Sequence, residues 1–430
     1  MKDILHRSDE LTRRSFMSKT ASSLLGVGLM PGITGGSAFA QATAAAAKKR
    51  PTARNVIYLY MAGGMTHLDT FDPKPGAETQ GPVEAIRTKA DDVMISEYLP
   101  GLASQMDKAA LIRSMTTTQG AHAQGNYFMH SSYVMRGTIR HPDMGAWLQK
   151  LDGRPNRTLP GSVKIGGSGN GAGFMGPKFA PLVLNNPNEG LRNSKLREGL
   201  SEKDFADRLM LADAFDKKFH ETYKHKTVRA QSEMYDDAVR LMRSEDLKAF
   251  DLTQESEATR ENYGNNSFGQ GVLLARRLVE NDVRFVEVSL GGWDTHSNNF
   301  PSVSQRASVL DQALSTLLAD LTRRGMLDET LVVVATEFGR TPRINQNNGR
   351  DHYPSAFSTL LAGGGIRGGQ TYGLTDETGE RVIENKVQVP DFNATIAHAL
   401  GLPLDKVVLS PSKRPFTVAH KGRPILDLFA

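Results

Sequence analysis

The sequence predicts an α/β protein with a mostly parallel central sheet and helices on both faces. Three observations carry that prediction. Short apolar runs rich in strand formers recur along the chain and close on glycine, as Val56–Met61 does before Gly63-Gly64. The runs are continuous rather than alternating, so both of their faces must be covered. Between two of them, Val303, Ala307, Leu310, Leu314, Leu317 and Leu321 recur at three- and four-residue spacing until Gly325, the pattern of an amphipathic helix. Apolar strands separated by such helices build a parallel sheet.

Taken in order, the first forty residues read as a targeting segment. Thr12-Arg13-Arg14-Ser15-Phe16-Met17-Ser18-Lys19 pairs two arginines with a bulky apolar residue and a lysine. A modestly apolar stretch from Ala21 to Ile33 follows, and Ala38-Phe39-Ala40 supplies small residues at the positions a signal peptidase needs. Residues 1–40 are therefore expected to be a twin-arginine signal peptide. That implies the twin-arginine export machinery as a partner and a periplasmic or secreted mature chain. The apolar stretch is about a dozen residues, broken by Pro31, and too short for a stable membrane span. Residues 41–54 are Ala-rich, contain Lys48-Lys49-Arg50, and read as a linker.

Residues 55–430 are long enough for one large α/β domain. After Val56–Met61, strands are expected at Ala109–Met115 (behind a helical stretch from Glu97), Val283–Leu290, Leu331–Ala335 and Phe357–Ala362. Residues 202–250 are highly charged and poor in strand formers. They read as a helical insertion, a candidate cover for the carboxyl edge of the sheet.

Composition excludes several classes. The chain has no cysteine, so disulfides, thiolate zinc sites, iron–sulfur clusters and a lipidated cysteine anchor are all ruled out. Removing residues 1–40 takes away five basic and three acidic residues and leaves a formal charge of +3, which gives no case for nucleic acid. A metal, if bound, must sit on oxygen and imidazole donors.

In an open parallel sheet ligands bind beyond the carboxyl ends of the strands. The first strand is followed by His67, Asp69 and Asp72, the third by Asp294 and His296, and the fourth by Glu337, Arg340, Asp351 and His352. Carboxylates with neutral imidazoles suit zinc, manganese, magnesium or calcium, as one or two ions. Such ions can clamp the oxygens of a phosphoryl or sulfuryl transfer. Each of these side chains could equally cap a helix or line a turn. Arg340 and Arg343 are candidates for binding an anionic oxygen. The Gly-rich Ser168–Gly173 stretch lacks the setting and lysine of a phosphate loop.

These residues resemble a known family. Asn55–Gly64 with Leu68-Asp69-Thr70-Phe71-Asp72-Pro73-Lys74-Pro75 is similar to the opening of the domain of unknown function 1501 family. Gly292-Trp293-Asp294-Thr295-His296, Thr336-Glu337-Phe338-Gly339-Arg340-Thr341-Pro342 and Gly349-Arg350-Asp351-His352-Tyr353-Pro354 resemble its other signatures. The match runs from about Asn55 to Leu404. The resemblance implies an alkaline phosphatase/sulfatase-like fold, as a sulfatase-like branch of the alkaline phosphatase superfamily. Asp391–Gly401 resembles the late helix of sulfatases, which makes His398 a helix residue rather than a ligand. The chain departs from the superfamily at two points. Ala62 or Gly63 holds the place of the first metal-binding aspartate, and Glu337-Phe338 replaces an Asp-His pair, with Asp351-His352 arriving later.

The resemblance also directs attention to Thr116–Asn126, where the superfamily carries its nucleophile at a helix start. His122 could bind metal or attack phosphorus, Thr118 could attack if a metal lowered its pKa, and water is the simpler nucleophile. A helix beginning near Gln124 would aim its positive end at this stretch. Residues and resemblance together point to an exported metal-dependent hydrolase of phosphate or sulfate esters, small-molecule or glycan. Asp294, His296, Glu337 and His352 are the principal ligand candidates, supported by Asp351, His67, Asp69 and His122. His122, Thr118 and Arg340 are the catalytic candidates. The alternative is a non-catalytic envelope protein that binds a glycan or anionic polymer on the same scaffold.

Overall fold

The computed structural model describes residues 52–167, 171–192, 194, 196, 198–223 and 235–430. The signal segment 1–40, linker residues 41–51 and residues 168–170 of the Gly-rich stretch lie outside the described residues. Thr52–Arg54 already belong to the folded body, since the Ala53 amide donates to Ala399 O and the Arg54 amide to Glu329 O.

A nine-stranded sheet organises the chain. Its strands are β1 Asn55–Ala62, β2 Ala109–Thr116, β3 Ser162–Ile165, β4 Leu182–Leu184, β5 Phe285–Gly291, β6 Thr330–Ala335, β7 Phe357–Ala362, β8 Gln370–Tyr372 and β9 Val387–Gln388. Spatial order is β8-β2-β7-β6-β1-β5-β3-β4, with β9 also paired to β2. Every pairing is parallel except those of β7, which runs antiparallel to both β2 and β6. The mostly parallel α/β class read from the sequence is the one observed.

Register decides where the chemistry gathers. Ala62 lies opposite Gly291, and Tyr60 lies opposite both Ser289 and Ala335. The carboxyl ends of β1, β5 and β6 are therefore level, and the loops beyond them leave from one edge.

Alternate residues of β1 enter two separate cores, as the two-residue period of a strand requires. Ile57, Leu59 and Met61 pack with α4 (Ser267–Glu280) and α5 (Asn299–Arg323). Val56, Tyr58 and Tyr60 pack with α1 (His122–Ser131), α2 (Met144–Asp152) and α6 (Val389–Ala399). The six periodic residues of α5, from Val303 to Leu321, are fully buried. The valine and the four leucines each contribute about 1.5–3 kcal/mol over an exposed position. Among the described residues no helix is long and apolar enough to cross a membrane.

Two details differ from the sequence reading. The helical stretch from Glu97 is one turn, Pro100–Ala103. Residues 202–250 are helical where described, with α3 at Glu202–Tyr223. The described stretch from Asp237 to Phe250 does not cover the carboxyl edge, however. Arg154 pairs with Asp237 at 3.2 Å, and Arg277 in the last turn of α4 donates to Lys248 O and Ala249 O. Those partners precede β3 and β5, so this stretch packs at the opposite, amino edge, where Leu241, Ala249 and Phe250 enter the core.

Candidate metal centre

The loop after β5 turns through Gly292 into Trp293, which is buried, and Asp294, which is exposed. It rests directly on the loop after β1. A Cβ at Gly63, whose φ is +122°, would lie 2.6 Å from the Asp294 amide nitrogen, so only glycine permits the approach. The amide of Arg350 donates to Thr295 O and that of Asn298 to Asn347 O, which brings the loop carrying His352 alongside His296. A two-residue antiparallel bridge then sets His352 opposite Arg340. From the other side α1 begins at His122, after an extended Ala121 that offers no side-chain cap.

Four side chains from these segments converge. Asp294 Oδ1 lies 3.1 Å from His296 Nε2 and 3.4 Å from His352 Nε2, and Oδ2 lies 3.3 Å from His122 Nε2. The two Nε2 atoms of His296 and His352 are 3.0 Å apart. Ligand atoms of His122, Asp294 and His352 all fall within 4.8 Å of one another.

The other face of each ring explains the convergence. His296 Nδ1 is 2.6 Å from Asp351 Oδ1, His352 Nδ1 is 2.8 Å from Gly120 O, and His122 Nδ1 is 2.7 Å from Glu337 Oε1. All three partners are acceptors, so each Nδ1 carries a hydrogen, and a ring in its neutral form turns an Nε2 lone pair toward Asp294. Lone pairs and a carboxylate facing one another at 3.0–3.4 Å repel unless a proton or a metal ion lies between them. His122, Asp294 and His352 form the compact donor set, and His296 adjoins it through Asp294 Oδ1 and His352 Nε2. Histidines backed by oxygen acceptors are the usual support of a metal site. The residues present fit a divalent metal.

Electrostatics point the same way. Burial acts to raise the Asp294 carboxyl, but the Arg340 hydrogen bond and charge, with His122 and His296, bring it down to about 2. The His296 hydrogen bond lowers Asp351. Burial acts to raise Glu337, but its hydrogen bonds, those with His122 and Tyr60 among them, and the His122 charge together lower it, and the His122 bond raises His122.

Several candidates from the sequence are placed outside the four. Glu337 is buried and stands behind His122, also accepting from the Gly63 amide and Tyr60 OH, both at 3.0 Å. Asp351 stands behind His296 in the same way. Both orient ligands instead of pointing at the centre. His67 is fully buried with Nε2 2.9 Å from Gly379 O. Asp69 is fully buried and takes both arms of Arg350 at 2.8 and 2.9 Å, along with Thr66 Oγ1 and Asn299 Nδ2. Neither side chain joins the cluster. Arg340 is also fully buried, and its donors go to Gly63 O, Gly64 O, Arg350 O and, at 2.5 Å, Asp294 Oδ1. It positions a ligand: four of its five N–H groups are taken and the side chain is fully buried. Thr118 is exposed, accepts from Gln119 Nε2, and has no hydrogen bond to the four. Arg343 is exposed on the far side of the same loop.

Two groups at the site carry little signal in the sequence. Tyr60, inside an apolar strand, offers none beyond its hydroxyl. Arg306 on α5 lies against Gly292, its Nε 2.5 Å from where a Cβ there would be, with no hydrogen bond or ion pair among the described residues. Its guanidinium is open at the rim of the loop that carries Asp294.

Fold and site together define a class: an α/β protein with a histidine–aspartate cluster at the carboxyl edge of a mostly parallel sheet. The family model described as "Protein of unknown function (DUF1501)" matches residues 53–429, and the chain belongs to that family. No curated protein matches the sequence. Among solved structures, the chain is similar to the PsFucS1 sulfatase from Pseudoalteromonas sp., at 14% identity and a TM-score of 0.40, covering 90% of this chain and 74% of that one. It is also similar to the phosphonate monoester hydrolase SpPMH from Silicibacter pomeroyi, at 12% identity and a TM-score of 0.38, covering 86% and 75%. A magnesium-bound mutant of TAB5 alkaline phosphatase is similar at 13% identity and a TM-score of 0.34, covering 82% and 99%.

Proposed function

We propose that this chain is an exported metal-dependent hydrolase of phosphate or sulfate esters. The observation that carries the reading is the facing of three Nε2 lone pairs onto one aspartate. Asp294, His296, His352 and His122 would hold the metal. When bound, the cation would supply Lewis-acid charge to the transferring group. The residues themselves do the rest. Glu337, Asp351 and Gly120 O fix the three rings in the tautomer that leaves Nε2 bare. The uncapped first turn of α1 presents backbone N–H groups beside His122, a favourable place for an anionic oxygen. Arg306 offers a second positive group at the rim. With Thr118 turned away to Gln119, water is taken as the nucleophile.

The export part rests on the twin arginines and the Ala38-Phe39-Ala40 segment. It predicts that Arg13→Lys/Arg14→Lys keeps the protein in the cytoplasm. Mature protein recovered from its native compartment should contain a divalent metal and release product from chromogenic phosphate or sulfate esters. Asp294→Ala should lose both. Wild-type protein without metal would overturn the reading. One feature favours the non-catalytic alternative: the Asp294 and His296 side chains remain 47% and 46% exposed, an open site that a long polyanion could reach. Metal-loaded protein that retains a sulfated glycan yet turns over no ester would establish that alternative.

A further inference from the structure

Behind the centre lies a set of buried charges that the proposed chemistry does not use. Lys164 on β3 reaches Glu287 Oε2 at 3.1 Å and Asp143 Oδ2 at 3.0 Å, and Glu287 Oε1 lies 3.2 Å from His130 Nε2. None of the four residues is more than 7% exposed. Asp143 also caps α2, its Oδ1 accepting from the Ala146 amide. We propose that this network is a positioning device that holds α1 in register on β5 and so sets the spacing of His122 from Asp294. The inference rests on the metal-centre reading.

The geometry is a ladder with two rungs. His130 lies beyond His122 on the same helix, eight residues and about 12 Å along. Glu287 precedes Asp294 on the strand and loop of β5. One rung is His130–Glu287 at 3.2 Å and the other His122–Asp294 at 3.3 Å, and in both rings Nδ1 faces an acceptor, Asn126 O at 2.8 Å and Glu337 Oε1 at 2.7 Å, so the two rungs have the same polarity. A slip of α1 by one residue would break both. Lys164 stands directly opposite Glu287 in the sheet, so the lower rung is fastened to β3 and, through Asp143, to α2. β1 is tied in as well. The Tyr60 ring meets the His130 ring edge-on at 4.6 Å, and its hydroxyl donates to Glu337, which holds His122.

Stability alone does not account for such a network. Buried ion pairs can often be replaced by apolar side chains of similar volume without loss, because desolvation offsets their attraction. What apolar groups would not supply is a set of charge contacts specific to one helix register.

The test compares His130→Leu, which fills the space without a donor, with His130→Gln, whose amide can still donate to Glu287. Zinc dissociation constants are measured on folded mature protein by chelator competition, with thermal unfolding alongside. The expected result is at least a tenfold weaker zinc constant for His130→Leu and a constant within about threefold of wild type for His130→Gln. Equal constants in all three proteins, with only the melting temperature changed, overturn the proposal. If His130→Leu does not fold, Glu287→Gln serves in its place. If wild-type protein binds no zinc or manganese, the metal reading fails by itself. The crystal structure of the variant then decides positioning, and an unchanged His122–Asp294 separation overturns it.

Discussion

Arg350 is the side chain whose loss has the most calculable effect. It is fully buried and holds Asp69 through two hydrogen bonds at 2.8 and 2.9 Å. It also donates to Thr79 O, Gln80 O, Thr341 O and Pro342 O, so it pins the loop after β1 to the loop that carries Asp351 and His352. Arg350→Met leaves the Asp69 carboxylate buried without its countercharge and strips four carbonyls of a donor. Breaking a buried pair in this way costs about 3–5 kcal/mol. Unfolding entropy of ~2.1 cal/mol/K per residue gives about 0.8 kcal/mol/K for a domain of roughly 380 residues, so a loss of ~4 kcal/mol lowers the melting temperature by about 5 °C. Arg350→Lys should fall between, since a point charge cannot span both carboxylate oxygens. Calorimetry of the purified mature protein reads these shifts, and a drop of less than about 1 °C for Arg350→Met would refute the reasoning.

Two further outcomes can be measured on the same mature protein. His141 is buried, and that burial, with Arg136 and His420, lowers its pKa to about 4. The unfolded chain therefore takes up a proton that the folded chain refuses, so stability is full above about pH 6.5 and drains away as the pH falls toward 4, by about 2 kcal/mol at pH 5. His141→Gln should lack that loss between pH 7 and pH 5 in urea unfolding, and identical pH dependence in both proteins would contradict it. Asp351→Asn keeps an acceptor for His296 Nδ1 but removes its charge. Metal affinity should weaken roughly tenfold, the low end for such a partner because Asp351 is exposed, and an unchanged chelator-competition curve would count against it.

Much of the scaffold is legible in the sequence because strand and helix periods are local. Phe357–Ala362 appears with the bounds its apolar run implies, and the other four expected strands differ from their runs by one or two residues at an end. Direction is not legible: nothing within Phe357–Ala362 says that it runs against its neighbours. β3 and β4 escape a reading by period, because a four-residue strand containing Lys164 and a three-residue strand are too short to show one. The site divides in the same way. Asp294 and His296 stand just beyond a strand end, where position in the chain is enough to flag them, and His352 follows later in the loop after β6. Which of the remaining polar groups face the centre depends on partners far away in sequence, such as Arg350 for Asp69 across 281 residues. A signal for the buried network is present: Glu287 is a carboxylate flanked by Val286 and Val288 inside the run Val283–Leu290, and a charge there requires a buried partner.

The two buried arginines clarify how an anion could be received here. A guanidinium beside a cluster of carboxylates and imidazoles reads from sequence as a substrate clamp. Arg340 and Arg350 instead spend their donors on main-chain carbonyls and on one carboxylate each, Asp294 and Asp69. Their charge neutralises the protein's own acids and fixes the loops. An anionic ester must then find its positive partners elsewhere: in the cation that the four ligands fit, in the open first turn of α1, and in Arg306. Of these only Arg306 is a side chain that can be removed without touching a metal ligand or a loop pin. Arg306→Ala should therefore weaken binding of inorganic phosphate or sulfate while leaving metal content unchanged. If anion binding is unaffected, the metal and the helix end suffice.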